Sequence, residues 1–170
     1  MIKLSKIFHE IMSVAEHHEC SVELHQEASP MVPFTSYKWR PEGGVVRLVL
    51  AQFDNNQAFF ERLFLHEVCH HISWMPEWSQ VTLSNWKSYP STQFCEYEAE
   101  SLCRAIAKRH KWQHIIDESN NMLLKNTKRG DTIPEQFREA NRIAGDIWGW
   151  EYAAQRIIEE DGLLADTVVG

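Results

Sequence analysis

The chain has 170 residues, 44% of them apolar, with seven Trp and eight Phe. That is length for one domain and enough apolar material for a packed core, which excludes a disordered chain. The formal net charge is −7 with no Lys/Arg-rich block, a balance that speaks against a surface binding nucleic acid through phosphate contacts.

No run is long and apolar enough to span a bilayer, so no membrane association is expected. His9 and Glu10 interrupt the first apolar run before it reaches signal-peptide length, and a cytoplasmic protein is expected. The cysteines, Cys20, Cys69, Cys95 and Cys103, form no CxxC pair. They read as reduced thiols that pack as small apolar groups, not as a zinc ribbon or a redox motif.

In chain order, Leu4, Ile7, Phe8, Ile11, Met12 and Ala15 have helical spacing and predict a helix within 2–18. His17 and His18 close it, where cations complement the helix dipole. Residues 20–27 (CSVELHQE) alternate as a strand does, and 34–39 (FTSYKW) is a second strand candidate. RPEGG (40–44) is turn chemistry, and VVRLVLAQF (45–53) is the clearest strand. Residues 54–74 follow as a helix with an apolar stripe of Phe60, Leu63, Phe64 and Val68, with Asp54 or Asn55 as its cap and Pro76 at its exit. Residues 75–91, with two Pro and two Trp, read as an ordered loop. A second strong helix spans 91–110, capped by Ser91 or Thr92, and a weaker one 111–125. TKRGDTIP (127–134) is the best linker candidate. A long helical pattern covers 134–160, with Gly145 and Gly149 as weak points, and the tail after it reads as loose.

The chemistry is concentrated in FLHEVCHHISW (64–74). It contains His66-Glu67-Val68-Cys69-His70, an H-E-x-x-H pattern. Residues four apart share a helix face, so His66 and His70 can address one metal ion. Glu67 lies one step round, where it can take a proton from water at the metal. Zinc lowers the pKa of such water to about 7. With nine His in the chain, the pattern alone is weak; a helix placed after a strand strengthens it. Cys69 lies near the same face and reads as core, because a thiolate beside two His and a carboxylate would overfill a catalytic site.

Two histidines leave a catalytic zinc one protein ligand short. A His six residues after His70, as metzincins require, is absent: Pro76 stands there. The segment CEYEAESLC (95–103) offers Glu96, Glu98 and Glu100. Glu96 and Glu100 share a face, so Glu96 can bind metal while Glu100 accepts the N–H of a ligand histidine; Glu98 points elsewhere. A SprT-like arrangement with His110 or His114 as third ligand stays open.

These two segments together resemble the ImmA/IrrE family of metallo-endopeptidases, whose signature is H-E-x-x-H on one helix and E-x-x-A-N-x-F-A on the next. The second motif here reads Glu96-Tyr97-Glu98-Ala99-Glu100-Ser101-Leu102-Cys103. The resemblance covers roughly residues 1–110. It implies His66, His70 and Glu96 as zinc ligands and Glu67 as general base. Glu100 replaces the usual Asn or Asp, Leu102 and Cys103 replace Phe and Ala, and Val68-Cys69 replaces Leu-Gly. The resemblance further implies a narrow substrate, characteristically a helix-turn-helix transcriptional repressor cut once; this chain shows no DNA-binding domain of its own.

The expected fold is α+β and zincin-like: an N-terminal helix, a small antiparallel sheet, the H-E-x-x-H helix, a glutamate-bearing helix and a C-terminal helical extension. Residues 1–110 are the expected catalytic core and 111–170 the extension, packed as one unit. Residues 45–53 are the best candidate for an exposed sheet edge that holds substrate as an added strand. His71, Tyr97 and Tyr89 are candidates to stabilise an oxyanion, each with packing as the plainer reading. Trp74, Trp78, Trp86, Trp148 and Trp150 read as core, with a cleft wall or partner surface as the functional alternative. Two other functions compete with the zinc metallo-endopeptidase. One is a catalytically idle zincin-fold adaptor or antitoxin-like partner; the other is a zinc hydrolase acting on a different amide.

Overall fold

The computed structural model describes residues 1–40, 42–73, 92–125, 154 and 157–161. It is a mixed α+β structure whose contacts divide it into two compact units, Met1–Met75 and Pro76–Gly170. The expected loop at 75–91, the linker at 127–134 and the helical pattern at 134–160 through Ala153 and at 155–156 lie outside the described residues, and with them Tyr89 and the five Trp singled out above. Among the described residues, no helix is long and apolar enough to cross a membrane.

In the first unit, helix α1 spans Lys6–His17. Ser5 caps it, its Oγ accepting from the Phe8 amide at 3.1 Å, and Phe8, Ile11 and Ala15 form the buried face. The helix closes with Glu19 in the left-handed region (φ 57°): the Glu19 amide donates to Glu16 O and the Cys20 amide to Ala15 O. This is a Schellman closure that usually recruits glycine. Strand β1 (Ser21–His25) starts at once, so the helix end sets where the sheet begins.

Strands β2 (Ser36–Lys38) and β3 (Val45–Val49) complete a three-stranded sheet in the order β1-β3-β2. β2 pairs antiparallel with β3, Tyr37 opposite Val46, as the intervening RPEGG turn requires. β1, however, pairs parallel with β3, Ser21 opposite Val45 and His25 opposite Val49. The sheet is therefore mixed, which corrects the expected all-antiparallel one. The cause lies in β3: Val45, Val46, Leu48 and Val49 are all buried, on both faces, and such a strand belongs in the centre. Residues 26–35 carry the chain past it, so that β2 lies on the far side and β1 faces β3 in the same direction. The same placement overturns the expectation that 45–53 offers an exposed edge, since β3 has a neighbour on each side.

β3 is also shorter than the sequence suggests. After Val49 the chain winds into a 3-10 turn, Leu50–Phe53. The buried Thr35 accepts the Val49 amide on Oγ1 at 2.9 Å, so the ladder ends without an orphaned donor.

Helix α2 spans Gln57–Ser73. Its cap is Asn56, whose Oδ1 accepts from the Phe59 amide at 3.0 Å. The expected caps, Asp54 and Asn55, instead take left-handed conformations (φ 45° and 64°) in the reversal before the helix. Phe60 and Phe64, both fully buried, meet Phe8 of α1 at ring-centroid distances of 5.7 and 5.3 Å, and Phe53 closes on Phe60 edge-on at 5.1 Å. The buried Glu61 accepts from Ser5 Oγ (3.2 Å) and Gln57 Nε2 (2.6 Å). These contacts lock α2 to the start of α1.

In the second unit, helix α3 (Thr92–His110) and helix α4 (Gln113–Lys125) pack together. α3 closes like α1, with Lys111 at φ 60° and the Trp112 amide donating to Ala107 O. Leu123 forms a buried cluster with Ala154, Ile157 and Ile158, and Tyr97 packs against it. Residues 157–161 are helical. Cys20, Cys69 and Cys103 are buried, as apolar packing of thiols requires.

Candidate metal centre

His66, Glu67 and His70 all lie on α2. From Phe60 through Cys69 this helix is buried except at Leu63 and Glu67, and His70 and the residues after it are partly open. Positions 63, 67 and 70 are four and three apart, so they form one stripe. Glu67 and His70 therefore lie on the accessible stripe, with the buried His66 at its margin. The two imidazoles are 4.7 Å apart between ring centroids and perpendicular, at 89°. Cys69 is fully buried, as core residues are.

Glu96 stands at the start of the part of α3 whose side chains are described, and it is half-buried. One ligand atom each from His66, His70 and Glu96 lie within 4.8 Å of one another. Among the described residues this is the one such group that could hold a metal ion. Two imidazoles and a carboxylate form a donor set of the kind catalytic zinc sites use, with a fourth position left for water or substrate. The donor chemistry thus fits a divalent cation of zinc's type.

The other carboxylates offered by the sequence, Glu98 and Glu100, lie outside this ligand group. Glu98 is half-buried, and burial raises its pKa above the usual glutamate range; it is not in the group. Glu100 is fully buried and accepts the Ser119 hydroxyl on Oε1 at 2.6 Å. Ser119 in turn accepts from Arg104 Nη1 at 2.8 Å, and Arg104 continues to Asn120 Oδ1 (2.8 Å) and, through Nη2, to Asp161 Oδ2 (2.7 Å). Glu100 thus takes part in a buried polar network one helical turn beyond Glu96. His110 is exposed and stacks on Trp112 at 4.4 Å, and neither it nor His114 belongs to the ligand group.

Of the oxyanion candidates, Tyr97 donates its hydroxyl to the Glu160 carboxylate at 2.7–2.8 Å. His71 is engaged at both nitrogens. Nε2 lies 2.7 Å from the His18 carbonyl, and Nδ1 lies 2.8 Å from the Tyr37 hydroxyl. A carbonyl only accepts, so Nε2 carries the hydrogen; in the neutral ring Nδ1 is then the acceptor and Tyr37 the donor. Burial pushes the Tyr37 phenol well above its ordinary pKa, with the neighbouring Cys20 adding to the effect, which keeps that proton in place. The Tyr37 ring lies nearly parallel to His70 (12°) at 6.4 Å. Sequence reasoning missed Tyr37 and the His18 carbonyl. Tyr37 sits in a short strand with no motif around it, and a main-chain acceptor leaves no mark in a sequence.

Comparison with family models, with curated proteins and with solved structures finds no match to this chain.

Proposed function

We propose that the chain is a zinc-dependent metallo-endopeptidase of zincin-like plan that hydrolyses a peptide bond in a specific protein substrate in the cytoplasm. The observation that carries this reading is the convergence of His66, His70 and Glu96, with Glu67 beside the first ligand on the accessible stripe of α2. The motif resemblance to ImmA/IrrE endopeptidases supports it and adds the substrate class, a helix-turn-helix repressor. Zinc, when bound by the three residues, supplies a Lewis acid that polarises a carbonyl and lowers the pKa of water to about 7. Glu67 takes the proton from the attacking water and passes it to the leaving amine.

Substrate enters this reading as an extended segment. Among the described residues β2 pairs on one side only, so Ser36–Lys38 rather than β3 offers main-chain groups to an added strand.

The test is Glu67→Gln in the full chain loaded with zinc. The variant should bind zinc as the wild type does and lose cleavage of a repressor presented as substrate, by on the order of 100-fold or more. Undiminished cleavage by Glu67→Gln would sink the hydrolytic role given to Glu67. A cellular effect that survives the substitution intact would instead favour the adaptor reading.

A further inference from the structure

We infer that Tyr37 is a positioning residue for the His70 imidazole, hooked into place by His71; this rests on the proposed metal centre. A chain of contacts runs to His70 from the backbone at the end of α1. The His18 carbonyl, at the end of α1, takes the Nε2 hydrogen of His71 at 2.7 Å. His71 Nδ1 takes the Tyr37 hydroxyl at 2.8 Å. Tyr37 is held in β2 by its pairing with Val46 of the central strand. Its ring then lies alongside His70 at 6.4 Å and 12°, within the range of paired rings.

His70 is thereby confined from two directions. Tyr37 lies parallel to it, and His66 meets it edge-on at 4.7 Å. A ligand side chain already held in one rotamer loses less freedom on binding metal. Gly44 shows that room is kept for this contact. A Cβ at position 44 would overlap both the Tyr37 hydroxyl and His71 Nδ1, so any larger residue there would push the pair apart. Its φ is not in the left-handed region, so backbone conformation does not account for glycine at this site. The clearance does.

A metal-binding histidine is commonly steadied through its own ring N–H. The ring wall of Tyr37 is a further support, and its hydrogen bond is made one residue along, at His71. The role is one of position: the Tyr37 ring lies beside a ligand, and only the main chain of its strand is offered to substrate.

The experiment measures zinc affinity of the full chain by competition with a chromophoric chelator, beside the absorption spectrum of the cobalt-substituted protein. The variants are Tyr37→Phe, which keeps the ring and deletes the hook, and Gly44→Ala, which breaks the same hook without touching an aromatic residue. Both should weaken zinc binding about threefold to tenfold and alter the cobalt spectrum, which reports ligand geometry. Urea unfolding run in parallel separates this from loss of fold. Should Gly44→Ala fail to fold, the nearly isosteric Tyr37→Phe decides alone. A folded Tyr37→Phe with wild-type affinity and an unchanged cobalt spectrum overturns the inference, even if its unfolding midpoint drops. A wild-type chain that takes up no zinc overturns the metal centre itself, a separate failure read from the same titration.

Discussion

Ser119 joins two buried side chains of opposite character: it donates to Glu100 at 2.6 Å and accepts from Arg104 at 2.8 Å. Glu100 and Ser119 are fully buried and Arg104 nearly so. A carboxylate and a guanidinium in such a place are costly unless their hydrogen-bonding atoms are satisfied. One hydroxyl serves both.

Removing that hydroxyl leaves both partners short of a bond in a dry environment. Ser119→Ala should destabilise the protein by about 1–3 kcal/mol, more than an average serine truncation at a surface. Urea unfolding measures it. A change within a few tenths of a kcal/mol would mean that water or a neighbouring group replaces the hydroxyl.

The metal centre makes a sharper demand on three neighbouring glutamates. Glu96→Ala should lower zinc affinity on the order of 100-fold or more, beyond the effect of losing a supporting contact. Glu98→Ala, outside the ligand group, should leave one zinc per chain by elemental analysis. Equal loss in both variants, or in neither, would remove Glu96 from the ligand set.

Phe60 carries the aromatic packing beneath α2, in contact with Phe8 and Phe53 and with no exposed surface. Phe60→Ala should cost about 3–5 kcal/mol through lost burial and the cavity left behind. Because His66 and His70 follow it on the same helix, zinc affinity should fall in the same variant. A thermal melt and a zinc titration on one preparation check both.

Cys20 gives a pH dependence with a definite sign. Burial pushes its thiol up to about 11 from an ordinary 9.0, partly offset by a backbone hydrogen bond at Val46. The folded state thus favours the neutral thiol more than the unfolded state does. Its contribution to stability is complete below about pH 9 and is lost as pH rises through about 11. Wild-type protein should lose urea resistance across that window, and Cys20→Ala should lose less. Alkylation at pH 8 should leave Cys20 unmodified until the chain unfolds.

Much of the local structure was legible in advance because it depends on spacing within a turn or two. The helices at 6–17, 57–73, 92–110 and 113–125 follow from apolar residues recurring three and four apart, and β1 to β3 fall within the segments read as strands. The sequence places the cap of α2 one or two residues early, since Asp54, Asn55 and Asn56 all have side chains that can cap. Only the backbone path decides which of them faces the helix. The pairing direction of β1 escapes the sequence for a related reason. Turn residues specify the β2–β3 hairpin, whereas the place of β3 in the middle depends on burial of both its faces by elements distant in sequence.

The sequence by itself determined that His66 and His70 share a helix face with Glu67 beside them, because a four-residue spacing is a local property of the α-helix. It narrowed the third ligand to a few candidates and went no further. Only the tertiary structure shows that Glu96 forms with His66 and His70 a group that could hold a metal ion, that Glu100 accepts from Ser119, and that His71 turns to Tyr37 and the His18 carbonyl. Each of those choices is made between residues at least 19 apart in the chain, and at that range the packing of the fold, not the period of a helix, selects which polar groups meet.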